Sequence, residues 1–308
     1  MKRFLLAFVL IAGTATAFAC TNFIVTKGAS TDGSVMVTYA ADSHQLYGAL
    51  YKYNPAKKPA AMMPVYEWDS GKYLGDIPQL KTTYATVGNM NEHSVIITET
   101  TFGGRTELID PTGLIDYGSL MFMALERSTS AREAIKIMAD LVEEYGYGSD
   151  GETFSISDAN EVWYMEIIGK GYNPVYDKKS KDTINADKGA VWVAIRIPDG
   201  YVSGHANAAR ITKFPLRDGK KSITDKDWKK LYNQDVEVIY KHDIIDFARR
   251  KKYFIGKDAD FDFSAAFAPV DFSAARICDL RVWMMFNDVC DDMDQYWDYA
   301  TGYSGDSL

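Results

Sequence analysis

The sequence contains little of what several common kinds of site require. Only three of its 308 residues are cysteine and four are histidine. Three thiols cannot build a disulfide framework or a four-thiolate zinc site, and scattered histidines leave little material for a transition-metal centre. Basic residues are also fewer than acidic ones, 34 against 42. A nucleic-acid partner requires a net basic face, so we expect no such partner.

Long hydrophobic runs are absent after the N-terminus, so we expect no membrane-spanning segment in the remainder of the chain. The N-terminus itself has a basic pair and a short apolar run over residues 2–12, followed by Ala17-Phe18-Ala19. This pattern is typical of a secretory signal peptide, and the run is shorter than the roughly 20 residues that span a bilayer. It predicts that residues 1–19 are removed on export to the periplasm or the extracellular space, which makes Cys20 the first residue.

A cysteine directly after a signal is also typical of bacterial lipoproteins. Their signals usually carry a Leu-like residue three positions before the cysteine and a small residue two positions before it. Ala17 and Phe18 occupy those positions here, which is a poor fit. A non-catalytic exported lipoprotein or binding module, with Cys20 lipidated, stays open as the alternative from a different class.

The rest of the chain has no internal repeat or long linker, which predicts one domain over residues 20–308. Apolar patterns and turn residues predict strands at 21–26, 35–40, 84–87, 95–98, 154–157, 162–168 and 190–197. Helices are predicted from the capping-box spacing of Ser130 and Glu133, and over 244–250 and 274–286. Hairpins, then helices, then further strands indicate an α+β fold. The uninterrupted apolar run 190–197 suggests a sheet buried on both faces, compatible with a four-layer αββα sandwich.

A cysteine in the first position makes a particular kind of catalysis available. A thiol attacks effectively only as thiolate, and an unperturbed cysteine has a pKa of about 8.5. The α-amine of the same residue has a pKa of about 7.7–8.0, so it can take the thiol proton and return it to a leaving nitrogen. An internal cysteine carries an amide nitrogen instead. Signal removal would therefore also generate the catalyst.

Several segments of the chain resemble one known family. The chain is similar to the dipeptidase family of N-terminal-nucleophile (Ntn) cysteine hydrolases, whose wider relatives are the penicillin V acylases and bile salt hydrolases. The similar segments are Cys20-Thr21-Asn22-Phe23-Ile24-Val25, Ser30-Thr31-Asp32-Gly33-Ser34-Val35-Met36-Val37, Asp42-Ser43, Gly88-Asn89-Met90-Asn91-Glu92, and residues 192–200 leading to His205-Ala206-Asn207. The resemblance implies the αββα Ntn-hydrolase sandwich.

The resemblance also implies roles for five residues. Cys20 is the nucleophile, and Asp42 holds its α-amine and thiol in position. Asn207 binds the oxyanion through its side-chain amide, and the backbone N–H of Thr101 is a second oxyanion contact. Arg276 resembles an arginine near the nucleophile of the acylases, although a salt bridge on a helix surface explains it equally well.

Some features depart from the family or leave alternatives open. Tyr39 stands three residues before Asp42, where the family usually has arginine. A Cys–His pair using His44 or His205 is the main enzymatic rival. Cys278 and Cys290 are candidates for a disulfide, but a continuous helix between them would hold them too far apart.

The residues and the resemblance together predict an exported cysteine dipeptidase that acts on short peptides through a thioester acyl-enzyme. An N-acyl amide hydrolase of the penicillin V acylase or bile salt hydrolase type is the enzymatic alternative. Neither reaction requires a metal or an organic cofactor, and a homo-oligomer is compatible with either. The end at Leu308 has no obvious terminal cap, which is compatible with a C-terminally truncated sandwich.

Overall fold

The computed structural model describes residues 20–42, 48–57, 61–271 and 274–301. The predicted leader, His44 and the last seven residues lie outside the described residues. Within the described ranges the strands are β1 (Asn22–Val25), β2 (Met36–Val37), β3 (Lys52–Tyr53), β4 (Met62–Tyr66), β5 (Tyr73–Pro78), β6 (Thr86–Val87), β7 (Met90–Asn91), β8 (Ile96–Gly103), β9 (Gly151–Ser157), β10 (Val162–Gly169), β11 (Pro174–Asp177), β12 (Asp182–Asn185), β13 (Ala190–Ile197), β14 (Val202–His205), β15 (Ser222–Thr224) and β16 (Val238–Tyr240). The α-helices are α1 (Tyr117–Leu125), α2 (Ala131–Tyr145), α3 (Ile244–Arg250), α4 (Phe263–Phe267), α5 (Asp279–Asn287) and α6 (Trp297–Thr301).

Nine strands form one large sheet in the order β15-β16-β13-β10-β9-β8-β7-β6-β3. Its neighbouring strands are antiparallel except for β15 and β16, which run parallel. A smaller sheet has the order β14-β1-β2, and β4–β5 and β11–β12 are separate hairpins. The predicted α+β class is therefore confirmed.

The centre of the large sheet, strands β9, β10 and most of β13, is buried on both faces, as the apolar run 190–197 predicts. Side chains alternate along a strand. In β10 Trp163 and Met165 belong to the core beneath α1 and α2, whereas Val162 and Tyr164 belong to a second core on the opposite face. The second core includes residues of α3 and α4 and also Ile24 of β1. The small sheet is thereby packed against the large one.

Several predicted elements are confirmed. The β9–β10 hairpin pairs Ser157 with Val162, and β13 and α3 have the predicted bounds. Helix α2 begins after Ser130, whose hydroxyl accepts the Glu133 backbone N–H at 3.3 Å. The Glu133 carboxylate accepts hydrogen bonds from Thr129 instead of Ser130, so the capping box is incomplete.

Other elements differ from the prediction. The chain between 84–87 and 95–98 is not a simple turn, because it contains β7, which pairs with β6 before β8 begins. The segment 274–286 starts as a π-helical turn, Ala274–Cys278, and becomes α-helical at Asp279.

The Cys278–Cys290 disulfide is not formed, and all three cysteines are free. Helix α5 lies between the two residues, which separates them along its axis as the helical rise predicts. Among the described residues, no helix is both long enough and apolar enough to cross a membrane.

Candidate active site

Strand pairing brings three distant segments of the chain together. Cys20 lies just before β1, and Asp42 follows closely after Ala40, which pairs with Thr21. On its other edge β1 pairs along β14, and Asn207 follows β14 two residues later. Three of the residues that the resemblance implies are thus brought to one end of the small sheet.

The Cys20 thiol lies in a buried and largely anionic environment. The residue is 6% exposed. Burial, followed by the charge of Glu99, raises the pKa of the thiol to about 12, although a hydrogen bond from the Asp42 backbone N–H and the charge of Arg281 act to lower it. At neutral pH the thiol is therefore protonated, and it needs a base to become a nucleophile.

Arg281 on α5 connects the residues around Cys20. Its Nη1 donates to the Cys20 carbonyl and to the Thr21 hydroxyl, both at 2.7 Å. Its Nη2 donates to Asn207 Oδ1 at 3.0 Å. A planar guanidinium can hold several acceptors in a fixed geometry. Arg281 therefore fixes the nucleophile segment relative to the Asn207 amide.

Arg276, the arginine that the resemblance implies, lies in the π-helical turn and donates to the Tyr299 carbonyl at 3.0 Å. The guanidinium that hydrogen-bonds to Cys20 belongs to Arg281, five residues later. Sequence reasoning missed Arg281. The only available signal was that it is the next arginine on the same predicted helix.

Asn207 is held in the left-handed backbone region at φ 47, which asparagine tolerates better than most residues. Its Nδ2 donates to the Thr101 carbonyl at 2.7 Å. An amide nitrogen carries two hydrogens, so one remains after this bond. The arrangement is suited to an oxyanion contact. The role predicted for the Thr101 backbone N–H stays a prediction.

A cavity of about 590 Å³ opens beside Cys20. We call it the acidic cavity because six carboxyl residues line it. They are Asp42, Glu67, Asp69, Glu99, Asp150 and Glu152. None of the described residues that line it is lysine, arginine or histidine. No group of three or more side chains in the described part of the chain is arranged to hold a metal ion.

Two carboxyl groups at the base of this cavity form a buried pair. Glu99 is 2% and Glu152 1% exposed. Glu99 accepts the Tyr39 hydroxyl at 2.6 Å, and Glu152 accepts the Thr101 hydroxyl at 2.8 Å. Burial raises the pKa of both, and the charge of Glu99 raises that of Glu152 further, which favours one shared proton on the pair over two negative charges. When both are ionised, neither Oε2 atom has a donor among the described residues.

Tyr39 occupies the position where the family usually has arginine. Burial, with the neighbouring Glu99, raises its pKa well above the ordinary value, so the phenol stays neutral. A neutral donor leaves the charge of the Glu99–Glu152 pair uncompensated. With tyrosine at this position, this part of the cavity is therefore more negative than it would be with arginine.

His205 does not form a pair with Cys20. Its Nδ1 contacts the Thr100 hydroxyl at 2.7 Å, and its Nε2 contacts Ser155 at 2.7 Å and Asn22 at 3.2 Å. Burial lowers its pKa to about 3, so the ring is neutral. Both ring nitrogens are used in these contacts, which leaves His205 a structural role beneath the small sheet.

Comparison with known proteins finds several relatives that are each described as a probable dipeptidase. The chain is 29% identical over 223 residues to a probable dipeptidase of Latilactobacillus sakei, covering 65% of this chain and 41% of the relative. It is 25% identical over 268 residues to probable dipeptidase A of Streptococcus pyogenes, covering 80% and 50%. It is 22% identical over 311 residues to a probable dipeptidase of Salmonella dublin, covering 92% and 61%. The chain thus spans about half the length of these relatives.

The family model described as Peptidase family C69 matches residues 59–298, which is most of the chain. This match and the dipeptidase relatives confirm the resemblance that the sequence motifs indicate. The chain belongs to Peptidase family C69, a family of cysteine peptidases.

Proposed function

We propose that this chain is an exported dipeptidase whose nucleophile is Cys20 after removal of residues 1–19. The observation that carries the proposal is a buried thiol at the edge of a cavity lined by six carboxyl residues. Such a cavity attracts a peptide with a free, positively charged amino end and repels anionic acyl groups. The names of the relatives support the same substrate class.

The proposed reaction begins with proton transfer from the Cys20 thiol to its own α-amine. The thiolate attacks the peptide carbonyl, and an Asn207 amide hydrogen stabilises the oxyanion that forms. The ammonium then returns the proton to the leaving nitrogen, which releases the second amino acid and leaves a thioester. Water attacks the thioester with the amine as base, which releases the first amino acid and regenerates the thiol.

The buried carboxyl pair supplies a place for the substrate ammonium. The Oε2 atoms of Glu99 and Glu152 are buried and lack donors among the described residues once both groups are ionised. An ammonium group carries three donors and would satisfy both atoms. Glu99 also acts on the Cys20 thiol electrostatically, which supports an ammonium site near the proposed nucleophile.

A second cavity of about 590 Å³ meets the acidic cavity at Thr101 and Asp150 and has Asn207 and Arg105 in its wall. We assign the leaving amino acid to this side and the acyl residue to the acidic cavity. Arg105 is the only lysine or arginine among the described residues of the second wall, which also includes the carboxyl residues Glu107, Asp150 and Asp271. Its positive charge fits the carboxylate of a dipeptide.

Export and the full sandwich belong to the same proposal. The pattern of residues 1–19 supports export, and the two cores on opposite faces of the large sheet are compatible with the four-layer αββα arrangement. The amine-as-base mechanism also explains how a thiol with a strongly raised pKa can react, since among the described residues no histidine contacts it.

Hydrolysis of alanyl-leucine against N-acetylalanyl-leucine tests the proposal. We expect Cys20-dependent cleavage of the unblocked peptide and at least about a hundredfold lower kcat/KM for the acetylated one, because its ammonium is lost from a desolvated site. Cys20→Ala should abolish turnover, whereas Cys290→Ala, which changes an exposed cysteine, should retain it. Preferential cleavage of the acetylated peptide would instead support the N-acyl amide hydrolase.

The mass of the exported protein and the sequence of its N-terminus test the origin of the nucleophile. We expect a chain that begins with an unmodified Cys20. A diacylglyceryl adduct would contradict the mechanism, because it converts the thiol to a thioether, and lipidation of that kind also acylates the amine that serves as base. A form with one residue retained before Cys20 should be inactive for the same reason.

A further inference from the structure

A second group of charged residues lines the acidic cavity, separate from the Glu99–Glu152 pair. It comes from the loop between β4 and β5. Asp69 accepts the Tyr117 hydroxyl at 2.9 Å, and burial raises its own pKa; when ionised, its charge raises the pKa of Glu99, so the two carboxyl groups influence the same space. Partial burial acts to raise the pKa of Glu67, but hydrogen bonds from Ser70 and Asp69 outweigh it and lower the value. Glu67 is therefore negatively charged at neutral pH.

Aromatic rings line the cavity beside these carboxyl groups. Trp68 stacks on Phe122 with ring centroids 4.7 Å apart, and Tyr51 meets the edge of Trp68 at 5.9 Å. All three rings and Tyr117 belong to the cavity wall. A wall that combines aromatic faces with carboxylates suits an apolar stem that ends in a cation, because the stem packs on the rings and the cation interacts with ring faces and carboxylates.

One substrate ammonium balances the Glu99–Glu152 pair, which carries one negative charge when the two groups share a proton, and leaves the charge of Glu67 without a partner on the substrate. The unpartnered Oε2 atoms of Glu99 and Glu152 point to one ammonium. Glu67 and Asp69 are further carboxyl groups; no lysine, arginine or histidine stands among the described lining residues, and Lys72 acts on Glu67 from outside the wall. A second positive charge on the substrate would meet them.

We infer that the acidic cavity selects dipeptides whose N-terminal residue has a cationic side chain, lysine or arginine. The inference rests on the dipeptidase proposal and specifies its substrate class. The α-ammonium binds between Glu99 and Glu152, and the side chain extends along the aromatic wall toward Glu67 and Asp69. The four-carbon stem of lysine suits such a wall, and its ammonium reaches the carboxyl groups beyond it.

Comparison of lysyl-alanine with norleucyl-alanine tests this inference on the unaltered enzyme. The two side chains share the same four-carbon stem and differ in the ammonium group. We expect kcat/KM to be about tenfold or more higher for lysyl-alanine, which is the range of a partly desolvated cation on aromatic and carboxylate partners. Equal values for the two dipeptides would overturn the inference.

Two matched variants locate the effect. Asp69→Asn keeps the shape and the Tyr117 contact but removes the charge, so it should reduce the ratio of kcat/KM for lysyl-alanine to that for norleucyl-alanine several-fold. Asp76→Asn removes the same charge from an exposed position on β5 outside the cavity wall and should leave the preference unchanged. An unchanged preference in Asp69→Asn would contradict the assigned position.

The outcomes also separate this inference from the function on which it rests. Cys20-dependent hydrolysis of both dipeptides at equal rates would overturn the side-chain preference and leave the dipeptidase proposal standing. Failure to hydrolyse either dipeptide, by a folded protein with a free Cys20 amine, would overturn both.

Discussion

A single guanidinium connects the proposed nucleophile of this protein to its proposed oxyanion contact. Arg281 donates to the Cys20 carbonyl, the Thr21 hydroxyl and the Asn207 side chain. It touches no reacting atom in the proposed mechanism, so it acts as a positioning residue. Its charge also acts to lower the pKa of the Cys20 thiol.

Replacement of Arg281 should impair chemistry more than substrate binding. We expect Arg281→Met to lower kcat by about two orders of magnitude with a smaller change in KM, because the oxyanion contact loses its orientation. Steady-state kinetics with an unblocked dipeptide measures the split. The resemblance to the acylases assigns the cation near the nucleophile to Arg276. A larger loss of kcat in Arg276→Met than in Arg281→Met would therefore contradict the positioning role of Arg281.

The residues of the site differ in how far the sequence could predict them. Short local motifs in the sequence predict Cys20, Asp42 and Asn207. Arg281 contacts Cys20 across 261 positions of the chain, and the partner of Glu99 is a residue of the next strand in the sheet. No local sequence pattern predicts such contacts, because they depend on how helices and strands that are distant in the chain pack together. Tyr39 was recognised as a departure, but its partner Glu99 became apparent only in the folded chain.

Among the elements, β1 and β14 have the most direct effect on the site. Their pairing places the segment after Cys20 opposite the segment before Asn207. His205 at the end of β14 contacts Thr100 of β8, Ser155 of β9 and Asn22 of β1, so it ties the small sheet to the large one. This buried polar cluster therefore has a structural role beneath the site.

His205→Leu should therefore destabilise the protein without removing its base. The change leaves the buried hydroxyls of Thr100 and Ser155 without a partner, at a cost of about 2–4 kcal/mol in the free energy of unfolding. Urea denaturation measures the loss. At a temperature where the variant remains folded, kcat should stay within about tenfold of the parent, since loss of a general base costs about 100- to 10,000-fold. A loss of kcat in that larger range, measured on folded protein, would instead support the Cys–His mechanism.

Elements with strong periodicity were predicted well, and short ones were not. The eight-residue β13 and helix α3 have the predicted bounds because each has a continuous apolar run or a clear amphipathic pattern. Strands β6 and β7 have two residues each. Two residues cover a single period of the strand alternation, which is too short to be recognised as a pattern, so these strands are fixed by their neighbours in the sheet. The π-helical turn before α5 likewise has no signature in the apolar spacing.

At the scale of the whole molecule, the negative charge of the chain and that of the cavity have the same sign. The full sequence has a formal charge of -8. A cationic dipeptide is therefore attracted at long range by the protein and at short range by the cavity wall. A zwitterionic dipeptide without a charged side chain has no net charge and responds mainly to the local carboxyl pair.

This difference predicts that salt will affect the two kinds of substrate unequally. The Debye length falls from about 30 Å at 0.01 M to about 3 Å at 1 M ionic strength, which removes long-range attraction and spares contacts in the desolvated site. We expect kcat/KM for lysyl-alanine to fall several-fold more than that for norleucyl-alanine over this range. Stopped-flow or steady-state assays at fixed pH measure both. In Asp69→Asn the extra salt sensitivity should shrink, because one of the carboxylates that attract the side chain is gone. An identical salt response for both dipeptides would contradict the long-range attraction of the cationic side chain.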